Sequence, residues 1–210
     1  MKIPEHPIFL ESVKYIRSKI GFTGLDQAQQ SVLERIIHAS GDFGLQSSLR
    51  FSPSACEAAV HALQNGAKIY TDTYMAEAAI TPMAKRTLKP DLQCILGMAP
   101  ISIDSTLSTR SAIAMKNMWL ELEKKDNLLH APVVVIGSSP TALISLLDLV
   151  EAGHTLPSLI VGMPVGFIGV SESKNRLLNS ECPYIVLEGS KGGASIAAAT
   201  INALLRVAEN

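Results

Sequence analysis

The segment 34-ERIIHASGD-42 carries an apolar helical run onto a histidine and then breaks at Gly41. Imidazole, with an unperturbed pKa of about 6.5, exchanges its proton near neutral pH. At the C-terminus of a helix the dipole favours the imidazolium. The position therefore predicts a His38 pKa above its ordinary value and a group able to donate a proton or a charged hydrogen bond. On a helical wheel His38 lies about 100° from Ile37 and about 200° from Ile36, at the edge of the apolar stripe or beyond it. The same ring could instead cap the helix by bonding its last carbonyls. Residue type and spacing leave both roles open.

Two cations stand where a helix dipole disfavours them. Arg110 lies in 108-STRSAIAM-115, at or near a first helical turn, and Lys191 in 189-GSKGGAS-195 immediately precedes a helix expected from Gly192 or Gly193. Each placement costs roughly some tenths of a kcal/mol when exposed, unless an anion sits between the cation and the helix N–H groups. A ligand with several carboxylates or phosphates would satisfy both. Three glycine-rich turns, 137-GSSPTA-142, 162-GMPVGFIG-169 and 189-GSKGGAS-195, each follow an apolar strand, where backbone N–H groups can meet an anion. Asp72, in 71-TDTYM-75, ends a strand; it either faces a ligand or caps the next helix, and spacing favours the cap.

Other chemistries lack their residues. There is no GxSxG elbow, no GxGxxG fingerprint, no GxxxxGK[ST] loop, and no CxxC or HxxxH spacing. No metal site is expected, and a nucleotide reading is weak. Net charge is −1 with no basic block, which argues against nucleic acid as a partner. The longest apolar runs, VVVIG and LIVG, are too short to cross a bilayer, and MKIPEHPIFLESV has no signal-peptide core. Three widely spaced cysteines read as reduced thiols of a cytoplasmic protein.

The elements that must position these residues follow from periodicity. Helices are expected at about 5–20, 26–40 and 54–65; in the second, Ala28, Val32, Leu33, Ile36 and Ile37 form a buried stripe between an Asp26 N-cap and Gly41. Strands are expected at 68–72, 92–96, 132–137, 158–162 and 184–189. Helices at about 74–86, 108–125, 140–152, 171–179 and 192–208 separate and follow them. Strands that are apolar without alternation are covered on both faces. The expectation is a single α/β domain over 1–210: a doubly wound, mostly parallel sheet of about five strands, helices on both faces, and an N-terminal helical subdomain.

The segments 35-RIIHASGD-42, 66-GAKIYTDTYM-75, 109-TRSAIAM-115, 136-IGSSPTAL-143, 161-VGMPVGFIGVSESK-174 and 189-GSKGGASIAAATINAL-204, together with 8-IFLES-12, resemble the precorrin-8X methylmutase (cobalt-precorrin-8 methylmutase) family of corrin biosynthesis, in order and over nearly the whole chain. The resemblance implies an isomerase that migrates a methyl group from C-11 to C-12 of a tetrapyrrole, giving hydrogenobyrinate or cobyrinate, without a cofactor. It implies that His38 is catalytic, protonating or hydrogen-bonding ring C to favour a [1,5]-sigmatropic shift. Ser12 and Arg110 match substrate-contact positions, and a rim of substrate carboxylates would account for Arg110, Lys191 and the turns around Asp72, Gly192 and Gly193. A homodimer is also implied. The sequence departs from many relatives at Ser138-Ser139, where Asn-Ala is common, and at Ser190, where a cation is frequent. A non-catalytic corrinoid carrier is the alternative, and a nucleotide-binding module a more distant one.

Overall fold

The computed structural model describes residues 6–101, 108–124 and 130–209. Along them run α1 (Pro7–Ile20), α2 (Gln27–Ser40), β1 (Leu49–Phe51), α3 (Ala55–Gln64), β2 (Ile69–Thr71), α4 (Tyr74–Arg86) and β3 (Leu92–Cys94). There follow α5 (Arg110–Lys124), β4 (Val133–Ile136), α6 (Pro140–Glu151), β5 (Leu159–Gly162), α7 (Val170–Leu178), β6 (Tyr184–Leu187) and α8 (Ala194–Glu209). The expected helix limits at 5 and 125 lie outside the described residues.

The strands form one sheet in the order β1-β6-β5-β4-β2-β3. Every neighbouring pair is parallel except β1 with β6, where Leu49 faces Leu187 in antiparallel register. The sheet therefore has six strands where about five were expected. The extra one, Leu49–Phe51, is a three-residue edge strand after a 3-10 segment, Phe43–Ser48, too short to show a period of two. The parallel strands deliver the ends of β2, β4, β5 and β6 to one edge, and β1 starts there.

Side-chain parity divides the core. Val133, Val135, Leu159, Val161, Ile185 and Leu187 pack under α2, α3, α4 and α8. Val134, Ile136, Ile160 and Val186 pack under α5, α6 and α7. The stripe of α2, Val32, Leu33, Ile36 and Ile37, is fully buried in the first cluster with α8, so the N-terminal helical segment is joined to the main core through this helix. Each such side chain contributes about 1.5–3 kcal/mol of burial as an upper estimate. Asp26 accepts from Gln29 N, and the Gln29 side chain accepts from Asp26 N, a capping box that starts α2. Gly41, left-handed at φ 68°, ends it.

Candidate active site

The end of α2 is capped without help from its histidine. Ser40 Oγ donates to Ile36 O at 2.8 Å and Gly41 N to Ile37 O at 2.8 Å. His38 is exposed, and its ring nitrogens bond no described residue. The ring meets Phe9 of α1 edge-on, with centroids 5.0 Å apart, and the Arg35 guanidinium lies 5.0 Å from the same Phe9 ring. Partial burial, and then the Arg35 charge, push the His38 pKa below its ordinary value. This reverses the expected rise. An exposed helix-end dipole is worth about 0.3–1 kcal/mol, and here lost hydration and a cation one turn back outweigh it.

Beyond Gly41 the chain reaches the end of β6. Asp42 accepts from Gly44 N at 2.8 Å and from Lys191 Nζ at 2.6 Å. The helix after Lys191 starts at Ala194, later than expected. The anion that the Lys191 placement called for is thus supplied in this structure by Asp42. The turn carrying Lys191 is itself held from below. Lys174 of α7, fully buried, donates to Gly189 O at 2.8 Å and Lys191 O at 2.7 Å, and burial lowers its pKa to about 8.

The glycine-rich turns are packed against one another. Gly193 N donates to Met163 O at 2.9 Å, Gly166 N to Ser190 O at 3.1 Å and Met163 N to Ile136 O at 2.8 Å. A Cβ on Gly192 would lie 2.2 Å from Met163 O, and one on Gly137 2.7 Å from Ala194 Cα. These glycines allow backbone to meet backbone, and the Gly193 N–H is already spent.

Asp72, also fully buried, accepts from Gly137 N at 3.1 Å, Ser138 N at 2.7 Å and Ser139 N at 2.7 Å. Burial raises its pKa while those three bonds oppose the rise. The helix after β2 is capped by Thr73 instead, whose hydroxyl accepts from Ala76 N. Asp72 thus fills the anion position of the first turn. Arg110 begins α5; its side chain is exposed and makes no hydrogen bond or ion pair with any described residue. Its neighbours Thr109 and Ser111 bond Thr141 and Ser139 at the start of α6, both at 2.6 Å.

Two groups of expected residues result. Ser12 and Phe9 share a face of α1, and Phe9 touches His38; the Asp42–Lys191 pair then joins this group to the turn holding Gly192 and Gly193. Ser12 is half-buried, its hydroxyl donating to Ile8 O at 2.9 Å. Asp72 and Arg110 form the second group, beyond β2 and β4. The ends of β4 and β6 are two strand spacings apart, about 10 Å. Between them the turn after β5 exposes Val165, Phe167 and Ile168, and Tyr74 and Met75 are exposed beside β2. A cavity of about 970 Å³ between α1, α2, α3 and α8 is lined by Phe9 and Arg35 but by none of the expected site residues. Among the described residues no three His, Cys, Asp or Glu side chains converge on a metal position.

Sequence reasoning passed over Phe9, Arg35, Asp42 and Lys174. One signal was available: Lys174 falls on the buried stripe of α7 with Val170, Ser173 and Leu177, and a lysine on an apolar face needs partners.

Open α/β sheets receive ligands beyond the carboxyl ends of their strands, where Asp72, Lys191 and the exposed Val165, Phe167 and Ile168 lie in this chain. It is a doubly wound α/β protein. The precorrin-8X methylmutase family profile matches residues 7–207. A precorrin-8X methylmutase of Pseudomonas aeruginosa is 38% identical, over 94% of this chain and 93% of its own length. A cobalt-precorrin-8 methylmutase of Synechocystis sp. is 33% identical, over 97% and 96%. The crystal structure of a precorrin-8X methylmutase from Thermus thermophilus superposes with a TM-score of 0.83 at 32% identity, covering 96% of this chain and 95% of that one. The chain belongs to the precorrin-8X methylmutase family.

Proposed function

We propose that residues 1–210 act as one methylmutase of cobalamin biosynthesis, moving a methyl group from C-11 to C-12 of precorrin-8X or cobalt-precorrin-8 to give hydrogenobyrinate or cobyrinate. The observation that carries this reading is His38: exposed, bonded to nothing described, at a helix end that Ser40 and Gly41 already cap. A histidine left idle in this way is free to serve a ligand.

In this reading the macrocycle lies along the strand edge against the exposed turns. Arg110 and Lys191 meet carboxylates of its rim, Lys191 exchanging Asp42 for the substrate. Ser12 and Phe9 flank the imidazole. The C-11 to methyl bond breaks as the C-12 to methyl bond forms, so no group leaves and no electron is gained or lost. His38 supplies a proton or hydrogen bond at ring C, making the conjugated system a better acceptor, and recovers the proton afterwards. The lowered pKa leaves His38 largely neutral in the free protein at pH 7. Substrate carboxylates nearby would raise it on binding.

The reading includes a homodimer, which light scattering would test. The three buried, unbridged thiols fit a reducing cytoplasm. The first test records absorption spectra of wild type and His38→Ala with precorrin-8X and with cobalt-precorrin-8. Conversion of one substrate by wild type, with binding but no conversion by the variant, supports the reading and identifies the branch. Binding without conversion by both proteins favours a corrinoid carrier.

A further inference from the structure

We propose that four hydroxyls around Arg110 form a positioning ring that fixes the first turn of α5, and through it the guanidinium. The proposal rests on the reading above, in which Arg110 meets a substrate carboxylate. The ring closes on itself: Thr109 Oγ1 to Ser111 Oγ 3.2 Å, Ser111 Oγ to Ser139 Oγ 2.6 Å, Ser139 Oγ to Thr141 Oγ1 3.0 Å, and Thr141 Oγ1 to Thr109 Oγ1 2.6 Å. Arg110 sits between two of its members.

A hydroxyl has one proton and two lone pairs, so in a closed ring each can donate once, accept once and keep an acceptor spare. Two members use the spare. Thr109 Oγ1 accepts from Ala112 N at 3.2 Å and Ser139 Oγ from Ala142 N at 3.2 Å, so each begins its own helix. The ring therefore welds two helix starts together. It is also anchored, because Ser139 N donates to the buried Asp72 carboxylate at 2.7 Å. Hydrogen bonds thus link the end of β2 to Thr109 and Ser111, the chain neighbours of Arg110.

Apolar packing does not supply this. Met115, Met118 and Trp119 of α5 and Leu143, Leu146 and Leu147 of α6 belong to one buried cluster further along the helices, where non-directional contacts fix separation but tolerate pivoting. One further polar link, Ser145 Oγ to Ala112 O at 3.0 Å, lies a turn away from the ring. Arg110 has no described partner of its own, so the aim of its side chain depends on where the ring holds its backbone.

Ser111→Ala and Thr141→Val each remove a ring member and leave both helix caps in place; together they cut the Ser111–Ser139 and Thr109–Thr141 links. Turnover and equilibrium binding of the product are measured for wild type, the double variant, Arg110→Met and the triple combination, with thermal unfolding as the control for folding. The expected result is a KM and product Kd raised roughly five-fold or more in the double variant, the scale on which a misaimed charge-assisted contact weakens, with kcat little changed. In the Arg110→Met background the same pair should add nothing, and Thr141→Ser alone should keep the wild-type KM. Wild-type affinity in the double variant overturns the proposal, as does an equal loss with and without Arg110. Absence of turnover by wild type overturns the functional reading instead, and the product-binding series still judges the ring.

Discussion

Lys191 Nζ lies 2.6 Å from Asp42 Oδ2, so the turn ahead of α8 is tied to the chain just beyond His38. Lys191 and the Gly44 N–H hold the Asp42 carboxyl below its ordinary pKa, keeping it charged throughout the neutral range. An exposed pair of this kind contributes little to stability, because water and salt compete for both partners. Its consequence is for binding: a substrate carboxylate must displace Asp42 from the same ammonium. Asp42→Asn is therefore expected to leave thermal stability nearly unchanged and to tighten product binding, whereas Lys191→Met weakens it. Absorption titrations measure both, and product affinity that ignores Lys191→Met would sink this assignment.

His38 gives a pH prediction with a definite sign. Its pKa in the free protein lies below the ordinary value, first through burial and then through Arg35. If the imidazolium is the donor, kcat/KM is highest in acid and falls as pH rises through that lowered pKa, with the midpoint below about pH 6.5. Arg35→Met removes the repelling charge and moves the midpoint upward. A profile flat from pH 5 to 7, or one that Arg35→Met leaves in place, would show that His38 works as a neutral hydrogen-bond donor.

The parallel strands were legible in sequence because VVVI and LIVG have no alternation, and the helix after β4 carries its own start signal at Ser139-Pro140. Asp26 and Gly41 marked α2 for the same reason. β1 was hidden because three residues carry no period and its partner, β6, lies far along the chain. At the site, residue types were readable and partners were not. Lys191 announced that an anion was needed, but Asp42 is nearly 150 positions away in the chain. The glycines suggested ligand approach, yet Gly192 and Gly137 are explained by neighbouring turns that only the fold brings together. Ser138-Ser139 looked like a departure from the family pattern, and Ser139 proves to cap α6 and bond Ser111. The direction of the His38 shift was missed because the dipole was weighed alone: partial burial of the ring, which only the fold reveals, lowers the pKa first, and the Arg35 charge one turn back adds to it.

Asp72 tests whether the first turn is organised from beneath. All three of its bonds come from backbone N–H donors, so a carboxylate fits and a carboxamide does not. Asp72→Asn turns an NH2 group towards at least one of those donors. The expected cost is about 1–3 kcal/mol of stability, the usual price of a buried polar group facing the wrong partner. KM should rise as well, because Ser139 N is the anchor of the α5 start. Chemical denaturation and steady-state kinetics measure the two effects; an Asn variant as stable as wild type contradicts the cradle.

Lys174 offers the clearest link between a buried charge and the turn that carries Lys191. Its pKa falls from 10.5 to about 8 because burial penalises the ammonium, even with the Gly189 and Lys191 carbonyls accepting from it. Between those two pH values the unfolded chain binds more protons at this site than the native one, so the native state gains stability as pH rises. The gain is complete only above the unfolded pKa and is lost as pH falls through the folded one. At 1.36 kcal/mol per pH unit it amounts to roughly 3 kcal/mol. Lys174→Met deletes this contribution, and the difference in unfolding free energy between wild type and variant should shift in favour of wild type from pH 8 to 10. The variant also leaves the carbonyls of the 189–191 turn without their donor, so product binding should weaken while the His38-dependent pH profile keeps its midpoint. Parallel pH dependences for the two proteins would mean that Lys174 titrates as an ordinary lysine and that another group holds the turn.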